Sequence, residues 1–133
     1  MNLTTLHGSV IGFAVIGSWA IVCFWSLALR LLRYEDTPTF WRAVSVAQIL
    51  LAVQFLVGLI ALVLGRRPGR GHNGLGTLLF HPGYGALFPL LVLMFAHRFA
   101  RERRWSPHAI FALVGLVNFA LAVRAWQVGI EGF

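Results

Sequence analysis

Four long apolar runs separated by short polar breaks organise this chain, at residues of about 6–32, 40–64, 75–99 and 107–128. A hydrocarbon core about 30 Å thick is crossed by roughly 20 apolar residues in a helix, so each run predicts one membrane-spanning helix. The breaks carry helix-ending chemistry. Arg33-Tyr-Glu-Asp-Thr-Pro38 closes the first run, a glycine- and arginine-rich stretch from Gly65 to Gly74 closes the second, and Arg98–Ser106 divides the third from the fourth. Short connections between long helices make sequence neighbours antiparallel. The predicted fold is all-α: one integral membrane domain over residues 1–133, a four-helix bundle of up-down-up-down order.

Composition agrees with the pattern. Hydrophobic residues make up 59% of the chain and charged residues 11%, against about 45–50% and about 25% in soluble domains. The net charge of +7 would suggest nucleic acid in a soluble chain. Here every basic residue is arginine and the arginines gather at the ends of the runs, where they set topology and meet lipid headgroups. No nucleic-acid partner is expected; the lipid bilayer is.

Arg30, Arg33, Arg42, Arg98, Arg101, Arg103 and Arg104 flank the first and third connections, and Arg66, Arg67, Arg70 and Arg124 lie on the other side. The positive-inside rule then places both termini outside a bacterial inner membrane. Trp41 and Trp105 on one side and Trp126 on the other fit an aromatic belt, and Trp19 and Trp25 lie deeper. The N-terminal residues lack the basic n-region of a signal peptide, so the first run is expected to be retained.

The polar residues inside the runs narrow the function. Histidine in hydrocarbon is costly and is read as a site with its partner. His7 opens the first run and His81 the third, and antiparallel order puts both on the same side of the membrane. Two imidazoles facing each other across a bundle are suited to hold one metal, haem iron above all. A b-type haem also asks for small residues beside it and cations for its propionates. Gly58 and Gly85 answer the first need, and Arg124 and Arg66 the second. Gln54 lies one turn from Gly58 on the same face, from which it could point beneath the site. Helix capping and headgroup contact are the plain alternatives for each histidine taken alone.

Other features remove alternatives. Cys23 is the single cysteine, so no internal disulfide or thiolate metal site can form. No carboxylate lies within a run, which argues against a proton-coupled transporter. No acid–base pair or nucleophile stands out, so an enzyme acting alone is not expected. His97 and His108, near the opposite side, read as boundary residues, and His72 in the glycine-rich connection is a spare ligand for the first pair. A weak internal repeat relates the two halves: His7-Gly8 and His81-Pro-Gly83 each open a helix pair that turns through arginine, an aromatic residue and proline. Repeats of this kind are related by an axis along the membrane normal.

His7 on the first helix, Gln54-Phe-Leu-Val-Gly58 on the second and His81-Pro-Gly-Tyr-Gly85 on the third resemble one half of haem A synthase. That family is built of two similar four-helix halves, each with a histidine pair and a Gln-x-x-x-Gly-like stretch between. The resemblance covers roughly residues 6–92. It implies His7 and His81 as axial ligands with Gln54 and Gly58 on the intervening helix. The Glu and Arg that flank the family's first histidine are missing here, and only one half is present. What it implies is a haem-binding bundle without the hydroxylation chemistry. The expected role is therefore a membrane subunit holding haem b through His7 and His81, serving electron transfer or haem handling, beside other membrane subunits or a second copy. The alternative is a haem-free structural or accessory subunit of a larger respiratory or photosynthetic complex.

Overall fold

A computed structural model describes residues 2–68, 74–102 and 105–131. Four helices are long and apolar enough to cross a membrane: α1 (Leu3–Leu32), α2 (Pro38–Val63), α3 (Leu75–Arg101) and α4 (Pro107–Glu131). They lie within three residues of the apolar runs at each end, and no strand occurs among the described residues. Their outward faces are apolar. Phe24, Leu31 and Val63 are 71%, 72% and 79% exposed, a surface suited to lipid rather than water. His72, Arg70, Arg103 and Arg104 lie outside the described residues.

The ends of the helices follow from local sequence. Arg33 takes a left-handed conformation (φ 56°) after α1, and the amide of Tyr34 reaches back to the Leu29 carbonyl at 3.0 Å. That bond closes the helix in the Schellman manner. Thr37 then caps α2: its hydroxyl accepts from the Phe40 amide at 3.2 Å, and Pro38 occupies the first turn, where no N–H is needed. Thr37→Ala is expected to cost about 1 kcal/mol, read as a lower melting temperature by circular dichroism in detergent. A melt unchanged from wild type would refute this cap.

α1 and α4 pack most closely and form the spine of the bundle. They are antiparallel, since Phe13 meets Trp126 at one end and Arg30 donates to Ser106 Oγ at the other. The crossing is backbone on backbone. A Cβ on Gly115 would lie 2.6 Å from the Cys23 nitrogen, so both positions need small residues, as membrane helix crossings commonly do. α2 packs on α1 and α3 on α4, while α2 and α3 meet chiefly around Gly83–Leu87. Between α2 and α3 an apolar cleft of about 190 Å³ is lined by Leu51, Ala52, Phe55, Leu56, Ala86 and Leu90. The round order is therefore α1–α2–α3–α4, with α1 and α3 on a diagonal. The core joins Val15, Trp19, Val22, Phe40, Val44, Leu51, Phe111 and Val114.

Two stretches wind as π-helix, Leu6–Ile11 in α1 and Gly83–Leu87 in α3. The second follows Pro82, which sits inside the helix. Proline lacks the N–H of the ladder and pushes on the preceding turn, and a widened turn absorbs the defect. Such π-turns often accompany functional sites. In this chain one holds His7 and the other begins two residues after His81.

Candidate functional site: a histidine pair across the bundle

His7 and His81 meet on the diagonal. Their ring centroids are 5.9 Å apart and their planes cross at 71°. The helices that carry them are joined by no direct connection, so only the folded bundle brings the two rings together.

Each ring is seated against a glycine of the following helix. A Cβ on Gly58 of α2 would lie 2.7 Å from His7 Cε1, and one on Gly129 of α4 would lie 2.8 Å from His81 Cε1. The glycines act through the carbonyls one turn earlier, because a side chain at position i+4 shields the carbonyl of position i. At Gly129 that opening exposes the Ala125 carbonyl, which lies 2.9 Å from His81 Nδ1. At Gly58 the carbonyl one turn earlier belongs to Gln54, and His7 Nδ1 has no hydrogen-bond partner. The two halves of the bundle thus present His7 over Gln54-x-x-x-Gly58 and His81 over Ala125-x-x-x-Gly129.

The His81 contact settles its tautomer. A carbonyl only accepts, so Nδ1 carries the proton and Nε2 presents a lone pair. This is how metal-binding imidazoles are commonly oriented, with the outer nitrogen donating to a carbonyl.

The donor set can be tested against a metal. A metal–imidazole bond of about 2.0–2.1 Å places the centroids of two opposed imidazoles roughly 6.4 Å apart, near the observed 5.9 Å. No group of three or more His, Cys, Asp or Glu side chains suited to a metal ion occurs among the described residues. Two imidazoles are too few for a zinc site built of protein ligands alone. They are the number that haem needs, because the macrocycle supplies the remaining four nitrogens.

The other expected residues fall at differing distances from the pair. Gln54 is partly buried beneath it, its Oε1 unpaired and its Nε2 at 3.8 Å from where a Cβ on Gly12 would stand. Gly85 packs on α4, where its Cβ would come 3.5 Å from the Ala125 methyl. Gly58 meets the edge of an imidazole. Arg66 lies just beyond the end of α2 and is exposed. Arg124 is exposed on α4 and donates to Gln127 Oε1 at 3.4 Å. Gly129 and Ala125 are contributors that the sequence reading missed. The internal repeat would not have found them, because the interval from His7 to Gly58 is 51 residues and that from His81 to Gly129 is 48, so the two glycines do not align when the histidines do.

At the opposite end the histidines are separately employed. His97 is exposed and its Nε2 lies 2.9 Å from Gln48 Nε2, joining α3 to α2. His108 was expected to be a wet boundary residue, yet its side chain is only 12% exposed and lies 3.6 Å from Asp36 Oδ1. Asp36 also accepts from the Trp41 indole. Phe40 packs edge-on to His108, which explains the burial. Among known proteins the chain matches no family model, no curated protein and no solved structure.

Proposed function

We propose that this chain is a membrane haem-binding bundle, in which His7 and His81 would hold a b-type haem, with a role in electron transfer or haem handling. The observation that carries the reading is the approach of two imidazoles to 5.9 Å across the bundle diagonal, one of them held by a carbonyl in the ligating tautomer. Gly58 and Gly129 seat the rings, and the Ala125 carbonyl fixes the direction of the His81 lone pair. Arg66, Arg67 and Arg124 are cations near this end that would suit the propionates. A haem held by His7 and His81 would supply reversible one-electron transfer.

The arginine distribution supports a bacterial inner-membrane location with the histidine pair at the outer face. The apolar exterior suits a partner membrane subunit or a second copy as well as lipid.

The test is the absorption spectrum of the detergent-purified chain, oxidised and dithionite-reduced, for wild type and His81→Ala. The expected result is a sharp reduced b-type band in wild type that the substitution abolishes. A colourless wild-type protein prepared with ample haem would overturn the reading in favour of a haem-free accessory subunit.

A further inference from the structure

Among the described residues, three polar side chains at the heart of the apolar bundle have no hydrogen-bond partner. Trp19 and Ser26 of α1 are 0% exposed and Asn118 of α4 is 1% exposed. The unpaired atoms are Trp19 Nε1, Ser26 Oγ and both Nδ2 and Oδ1 of Asn118. The hydroxyls of Ser18 and Ser45 turn back onto their own helix carbonyls, so the serines show how such groups are ordinarily satisfied within a membrane helix.

The helix crossing places two of the three together. Gly115 meets the backbone of Cys23, and α1 and α4 are antiparallel. Asn118 lies about one turn from Gly115 toward the histidine end, and Trp19 about one turn from Cys23 in the same direction, a rise of roughly 5 Å on each helix. The residues that carry the indole N–H and the amide therefore stand at one level of the paired helices, near the middle of the membrane. Lipid can satisfy none of them, and an unpaired polar group in hydrocarbon is strongly disfavoured. Buried water bridges such groups, typically through two to four hydrogen bonds.

We propose that the α1–α4 interface encloses a site for internal water, in which one or two molecules accept from Trp19 Nε1 and bridge to the Asn118 amide. Water can accept from the indole and from Nδ2 while donating to Oδ1, which leaves no atom of the three orphaned. Val15 and Leu51 fill the layer toward Gln54 and the histidine pair, and Val22, Val114 and Phe111 fill the layer on the other side. About 10 Å of helix separates Trp19 from the level of Gln54, and Ser26 is as far away in the other direction. The water is held rather than passed along, so the site does not depend on haem being bound.

Infrared difference spectra of the full chain in lipid vesicles, between ordinary and heavy-oxygen water, test the site. Wild type is expected to show isotope-sensitive O–H bands of internal water that Asn118→Leu removes. It is also expected to lack a free indole N–H band assignable to Trp19. Identical water bands in wild type and Asn118→Leu would overturn the proposal. So would a free indole N–H band in wild type that Trp19→Phe abolishes, a reading that stands even where Asn118→Leu fails to fold.

Discussion

Gly115→Ala is expected to weaken the bundle by about 1–3 kcal/mol, the range for forcing an added group into a packed interior, and Gly115→Leu to prevent assembly of α1 with α4. The added Cβ would stand 2.6 Å from the Cys23 nitrogen, 2.7 Å from its Cα and 2.9 Å from its Cβ. A side chain can rotate away from such a contact, but backbone cannot, so the two helices must separate. Separation at the crossing opens the packing of Trp19, Val22, Phe111 and Val114, all buried in one core cluster, and interiors packed at crystal density lose contacts steeply with distance. Thermal melts in detergent, followed by circular dichroism, would show the loss for alanine and no cooperative transition for leucine. A Gly115→Ala chain that melts with wild type would mean that the helices cross less closely than described.

Gly58→Ala and Gly129→Ala are expected to leave the bundle folded and to lower haem retention about 10- to 100-fold, the usual penalty for disturbing the groups that orient metal ligands. Each added methyl overlaps an imidazole, at 2.7 Å from His7 Cε1 and 2.8 Å from His81 Cε1. These obstacles are the reverse of the one at Gly115, because an imidazole can swing about its side-chain torsions. Folding survives, and ligand direction does not. At Gly129 the methyl also stands 3.1 Å from His81 Nδ1, the atom that meets the Ala125 carbonyl, so the ring must turn from that contact and the tautomer control is lost. Gly17→Ala is the control, since nothing lies within 4 Å of its Cβ position. Haem per chain after a wash with competing apoprotein measures the effect. Equal retention in all three variants would mean that the glycines serve helix packing alone.

The legible part of the site was the part carried by rare residues. His7 and His81 stand out because imidazole in hydrocarbon is costly, and Gln54 with Gly58 because a polar residue and a glycine one turn apart interrupt an otherwise aliphatic helix. Gly129 did not stand out, since it follows Arg124, Trp126 and Gln127 near the chain end, where glycine reads as ordinary. Its role appears only when a neighbouring helix brings His81 against it. His108 shows the same limit from the other direction. Next to Ser106-Pro107 it reads as a wet helix start, but Asp36 and Phe40, from a different connection, cover it.

By itself the sequence determined the four helices, their limits and their apolar exteriors. Those depend on the length of apolar run that matches a bilayer and on local end chemistry, both written in consecutive residues. It also marked the two histidines as costly enough to need a reason. Helix rotation was left open, because hydropathy is nearly uniform around helices whose outward faces meet lipid. Only the tertiary structure decided it, through the close approach of Gly115 to Cys23, the seating of His7 on Gly58 and of His81 on Gly129, and the depth shared by Trp19 and Asn118. Each is a contact between segments far apart in the chain, where a missing Cβ or an unpaired polar atom has meaning only against its neighbour.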